Sequence, residues 1–176
     1  MILALDAAGA DVIEIGIPFS DPIADGPVIA AAMHEALERG ATPSSVFEEV
    51  RRVRGKVDCG LVAMVSVSIV HALGGPGAFS QLLADAGFDG VIYPDVPLEH
   101  SQGLRTAASA AGLSMSLLVA PTTPSPRAME IAQASTGFVY LIARTGITGE
   151  RSDAPEIGDA VGRIRAACET PIACGF

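Results

Sequence analysis

A carboxylate set inside a strand-like apolar run constrains this chain more than any other feature. The stretch Ala10-Asp11-Val12-Ile13-Glu14-Ile15-Gly16-Ile17-Pro18-Phe19-Ser20-Asp21-Pro22-Ile23-Ala24-Asp25-Gly26-Pro27 opens with β-branched residues that suit a buried strand. Glu14 interrupts them. A carboxylate there is costly unless it is paired, protonated or used in chemistry. Gly16, Pro18 and Pro22 then turn the strand into a loop, and Pro27 suits the first position of a helix. Glu14 therefore falls near the C-terminal end of a strand, with Asp21 and Asp25 on the loop after it. Parallel α/β proteins gather their chemistry at that end of the sheet. Two readings stand for each acid. Glu14 is either a rim acid paired with Lys or Arg, or a general acid/base. Asp25 is either a helix cap or a base.

The rest of the chain repeats the same grammar. Ala86-Gly87-Phe88-Asp89-Gly90-Val91-Ile92 echoes Ala8-Gly9-Ala10-Asp11-Val12-Ile13, a helix end passing through Gly and Asp into a buried strand. Helical spacing covers 1–8, 27–39, a segment to Arg54 capped by Ser44 or Ser45, 77–86, 98–111, 125–134 and 155–168. Strand-like runs cover 11–17, 58–65, 90–93, 114–119, 137–143 and 171–174. Six near-continuously apolar strands alternating with helices predict a parallel sheet buried on both faces. This pattern fits either an open doubly wound sheet or part of a barrel. Length and the lack of a linker predict one domain over 1–176.

Bulk properties remove several classes of function. Net charge is −9 without a basic cluster, which argues against nucleic acid as a partner. It leaves a phosphorylated small molecule open, because backbone amides hold phosphate without side-chain charge. No apolar run reaches the ~18 residues of a membrane span, and the first residues do not form a leader, so the expected place of work is the cytoplasm. Cys59, Cys168 and Cys174 form no metal-type spacing with His34, His71 or His100. We expect free thiols, with Cys59 and Cys174 as small buried hydrophobes.

The run Glu14-Ile-Gly-Ile-Pro-Phe-Ser-Asp-Pro-Ile-Ala-Asp-Gly-Pro27 resembles the signature of the tryptophan synthase α subunit. That resemblance implies a (β/α)8 TIM barrel, incomplete here, with about strands 2–7 present. It implies a lyase of tryptophan biosynthesis, cleaving indole-3-glycerol phosphate to indole and glyceraldehyde 3-phosphate by retro-aldol chemistry. Glu14 and Asp25 match the catalytic acids. Glu14 moves a proton between the glycerol hydroxyl and indole carbon 3, and Asp25 accepts the indole N–H. Tyr140 matches a residue beside the catalytic Glu, and Phe176 an aromatic of the indole pocket. Thr148 and Gly149 match the lid, one supporting Asp25 and one approaching the phosphate. Asp21, Pro18 and Asp95 match positions of loop communication and of the boundary with the β subunit, the implied partner. No cofactor is implied for this chain, since pyridoxal phosphate belongs to the β subunit.

Two departures from the family shape the expectations. Ser66-Val67-Ser68-Ile69 stands where the family has a Tyr-Tyr-Asn-Pro-like run. Less contact area and no fixed turn are expected there, and so weaker docking to a β subunit. An arc lacking strands one and eight has two open edges, so a fragment, or a chain closed by a partner, is expected. A degenerate, non-catalytic interaction module and another phosphosugar enzyme on the same barrel remain as alternatives.

Overall fold

The computed structural model describes residues 1–22, 26–143, 157–166 and 168–175. In chain order the elements are α1 (Ile2–Ala7), β1 (Val12–Gly16), α2 (Pro27–Glu38), α3 (Pro43–Arg54), β2 (Gly60–Met64) and α4 (Val67–Ala72). There follow α5 (Gly75–Ala86), β3 (Gly90–Ile92), a 3-10 turn (Leu98–His100), α6 (Gln102–Ala110), β4 (Ser114–Ser116) and β5 (Leu118–Val119). α7 (Ser125–Ala134), β6 (Val139–Ile142), α8 (Gly158–Arg165) and β7 (Ile172–Gly175) complete the described set. All strand pairs are parallel, in the orders β1-β2-β3-β4 and β5-β6-β7.

The expected helix-to-strand joint recurs. Gly9 has φ +90° and Gly87 has φ +91°, the left-handed turn that lets a helix end pass directly into a strand. Alternation then sorts the side chains. Ile13, Leu61, Ala63, Val91, Met115, Val139 and Leu141 face the helices and form the main core. Val62, Ile92 and Tyr140, with Met64, Leu118, Phe138 and Ile142 around them, form a separate apolar cluster on the other face.

Three expectations about local structure are corrected. Helix α3 is capped by Thr42, not by Ser44 or Ser45. Thr42 accepts from the Ser45 N–H at 3.1 Å and Ser45 Oγ accepts from the Thr42 N–H at 2.9 Å, with Pro43 in the first turn. The segment 67–72, assigned to no element by its pattern, is a short helix. The strand expected over 114–119 divides at Leu117, giving seven strands among the described residues where six were expected. Side-chain hydroxyls explain that break. Thr136 Oγ1 accepts from the Met115 N–H at 2.8 Å, Ser135 Oγ from the Leu117 N–H at 3.1 Å, and Ser116 Oγ from the Phe138 N–H at 3.3 Å. Three positions are thus bridged through side chains, alongside two direct backbone bonds, from the Thr136 N–H to the Met115 carbonyl and from the Tyr140 N–H to the Leu117 carbonyl, both at 3.0 Å, so the two sheets meet along a seam of hydroxyls and backbone groups.

The N-terminal ends of the strands are tied by carboxylates. Asp6 accepts from the N–H groups of Asp58 and Cys59, both at 3.0 Å. Asp89 accepts from the Leu61 N–H at 2.8 Å and from Arg54 at 3.1 Å, joining α3, β2 and β3. This geometry gives Asp89 a structural role at the end of the sheet away from Glu14. Asp89→Ala is expected to lower the urea midpoint with an unchanged m-value, by about 1–3 kcal/mol, because the N–H of buried Leu61 loses its acceptor. The half-exposed Arg54 pair adds little to that figure.

Candidate active site

Glu14 sits in the middle of β1, in register with Val62 of β2, on the face opposite the helix-facing core. It is held there by a five-residue ladder and by the continuation of the strand, where the Ile17 N–H donates to the Met64 carbonyl at 2.9 Å. Its side chain opens into the lumen, so the residue is exposed. The atoms crowded about it nevertheless remove enough water to raise its pKa above the ordinary 4.5. Among the described residues no Lys or Arg pairs with it. The rim ion-pair reading of Glu14 therefore finds no partner in them.

Tyr140 establishes how the sheet curls. It lies on β6, several strands from β1, yet the Glu14 charge helps push its hydroxyl pKa up to about 12, after burial as the first cause and ahead of Cys174. Its ring also packs in one apolar cluster with Val62 of β2 and Ile92 of β3, on the face away from the helices, although none of these strands pairs with β6. The sheet is therefore an arc closed far enough to surround a lumen. Val62, Ile92, Met64, Leu118, Phe138 and Ile142 give that lumen apolar walls, and the Phe138 and Tyr140 rings lie 6.5 Å apart, tilted by 37°.

Gly175 of β7 lies against Tyr140. A Cβ on Gly175 would overlap the Tyr140 hydroxyl and Cζ and come within 2.9 Å of Cε1. Glycine is required here by close approach, and nothing in the sequence pattern pointed to that requirement.

The remaining expected site residues divide into those described and those outside the described residues. Asp25, Thr148, Gly149 and Phe176 are outside. Pro18 is half-buried just past β1, and Asp21 accepts a hydrogen bond from the Ser20 hydroxyl at 2.6 Å. Asp95, beyond the end of β3, accepts from the Ser66 hydroxyl at 2.7 Å and from the Val67 N–H at 3.1 Å to each oxygen. Ser66 in turn accepts from the Ser68 N–H at 3.2 Å and caps α4. This corrects the expectation that Ser66-Val67-Ser68-Ile69 provides no fixed turn, since the hydroxyl and the acid supply one. Cys59 is buried as expected, whereas Cys174 is exposed on β7, whose other side has no strand among the described residues. Among the described residues there is no cluster of metal-ligating side chains, and no helix is long and apolar enough to cross a membrane.

A parallel α/β barrel arc with helices outside and an acid among apolar side chains on its inner face defines the class: a partial TIM barrel whose candidate site lies on that inner face. Comparison with known proteins narrows this. The family model for the tryptophan synthase alpha chain matches residues 1–176, and the chain belongs to that family. It is 42% identical over 176 residues to the tryptophan synthase alpha chain of Gloeobacter violaceus, covering 99% of this chain and 63% of the relative. It is 44% identical over 173 residues to that of Picosynechococcus, covering 98% and 65%. The chain thus spans a little under two thirds of these curated relatives. Among solved structures, Mycobacterium tuberculosis tryptophan synthase superposes with a TM-score of 0.89 at 35% identity, covering 99% of this chain and 66% of that one. The tryptophan synthase α2β2 complex of Pyrococcus furiosus gives 0.89 at 35% identity, covering 99% and 70%.

Proposed function

We propose that this chain, as a single partial-barrel domain over 1–176, carries the acid/base centre of a lyase that cleaves indole-3-glycerol phosphate to indole and glyceraldehyde 3-phosphate. One observation carries the reading: Glu14 stands in an apolar lumen with its pKa raised by burial and with no cationic partner among the described residues. A raised carboxyl holds its proton nearer neutral pH and still accepts one back.

In this mechanism protonated Glu14 delivers its proton to indole carbon 3, and Asp25 takes up the positive charge developing at the ring N–H. The Glu14 carboxylate then removes the proton of the adjacent glycerol hydroxyl. The carbon–carbon bond breaks, its electron pair restores the aromatic ring, and the hydroxyl carbon becomes the aldehyde. Glu14 ends protonated, as it began, so no oxidant, reductant or cofactor enters the balance. Tyr140 borders the acid, and Phe176, Thr148 and Gly149 complete the pocket and lid by family likeness. Pro18, Asp21 and Asp95 lie toward a β subunit, which is the proposed partner and the holder of pyridoxal phosphate. A cytoplasmic setting agrees with three cysteines that stay unpaired.

The test is the release of indole from indole-3-glycerol phosphate, followed spectroscopically, with and without a β subunit. Release by the α chain that loses its rate on Glu14→Gln supports the reading. Absence of release in both conditions overturns it in favour of a non-catalytic interaction module.

A further inference from the structure

Asp95 is not accounted for by the proton transfers above. It lies on neither the helix-facing core nor the lumen wall, and it is exposed. Its carboxylate nevertheless spans from the end of β3 to the start of α4, taking the Ser66 hydroxyl and the Val67 N–H. These contacts lie directly beyond the point where β2 leaves the sheet. There the Val65 N–H donates to the Ile92 carbonyl at 3.1 Å, and the Met64 carbonyl accepts from Ile17. Met64 and Ile92 are neighbours in register and both line the lumen. On the β3 side, Tyr93 is only 1% exposed and fixes the strand end two residues before Asp95.

Helix α4 is six residues long, too short to hold its own first turn. Its start is set by Ser66 and Asp95 together, and the paired exit of β2 and β3 is set with it. We propose that Asp95 is a positioning residue, acting through Ser66 to fix the Met64–Ile92 wall of the lumen and so the fit of the substrate ring. This rests on the lyase reading above and adds a determinant of substrate binding to it. Glu14 lies two positions back from that exit, in register with Val62 rather than with Met64, so the clamp does not touch it directly. The consequence therefore falls on binding rather than on proton transfer.

Asp95→Ala, Asp95→Asn and Ser66→Ala in the full chain test this by steady-state kinetics and amide hydrogen exchange. Asp95→Ala is expected to raise KM for indole-3-glycerol phosphate roughly three- to tenfold with kcat within about twofold. Exchange at Val67 and Ser68 is expected to quicken about five- to tenfold while Leu61 to Ala63 stay protected. Ser66→Ala is expected to give the same pattern more weakly. Asp95→Asn keeps an acceptor oxygen and is expected to restore most of the wild-type KM. Faster exchange with unchanged KM reduces the clamp to a structural cap and overturns the proposal. So does a loss of kcat at constant KM, which makes Asp95 a participant in chemistry, and so does loosening of all of β2. A wild-type chain that releases no indole fails the lyase reading and this inference with it. An active wild type with unaltered variants fails this inference alone.

Discussion

Glu14→Gln is expected to lower kcat for indole release by roughly 10²–10⁴-fold, the range that general acid/base groups contribute. The amide keeps the shape of the side chain and its place beside Val62 but neither gives nor takes the proton. Stability is expected to move the other way. Burial raises the Glu14 pKa in the folded chain, so the folded state binds this proton more tightly than the unfolded one. The resulting stabilisation is fully present below the ordinary carboxyl value of 4.5 and is lost as pH rises through the raised folded value. The amide has no such loss. The variant is therefore expected to melt at or above the wild-type temperature in neutral buffer, and the gap should close as pH falls toward 4.5. Solvent in the open lumen keeps this effect small. The rate limb that follows the acid form is expected to lie above the ordinary carboxyl range and to vanish in the variant. Turnover by Glu14→Gln at the wild-type rate would remove Glu14 from the chemistry.

Gly175→Ala is the second large effect. The new methyl would occupy space filled by the Tyr140 hydroxyl and Cζ, so either the ring or β7 has to move. Strand β7 has little freedom, being paired over Val139 to Ile142, with the Ala143 N–H donating to the Gly175 carbonyl at 2.7 Å. The Tyr140 ring is expected to yield, turning into the lumen it now borders. Overpacking of this kind costs about 1–3 kcal/mol, and a displaced pocket wall lowers kcat/KM on the order of 10²-fold. Thermal melting and kinetics on the same preparation measure both. Tyr140→Phe in the alanine background should restore neither, since Cζ remains in the way; only a shorter side chain at 140 makes room. Wild-type melting and turnover in Gly175→Ala would show that the close approach does not constrain the site.

The sequence carried the alternation of the fold but not its closure. Apolar runs at Val12–Ile15, Leu61–Val65 and Val139–Ile142, each preceded by a helix and a Gly- or Ser-bearing joint, sufficed to place parallel strands. Those runs say nothing of curvature, and pattern alone left an open sheet and a barrel equally available. The packing of Tyr140 of β6 with Val62 of β2 and Ile92 of β3 is a long-range contact that no local period encodes. The division at Leu117 escaped for a related reason. Ser135 and Thr136 fall between the helix expected over 125–134 and the strand expected over 137–143, and only the assembled sheet shows their hydroxyls taking ladder N–H groups. Helix α4 was hidden because Val67, Ile69 and Val70 are β-branched and favour a strand reading. Its cap, Ser66, is held by an acid 29 positions away. Glu14, by contrast, was legible at once, since one acid among β-branched neighbours is a local anomaly.

The line of hydroxyls between the two sheets has a further consequence. Glu14 belongs to the four-stranded leaf and Tyr140 to the three-stranded one. The two leaves are therefore hinged where Ser116, Ser135 and Thr136 share the bonding with the Tyr140 and Thr136 backbone, the spine of an opened book that lies away from the acid itself.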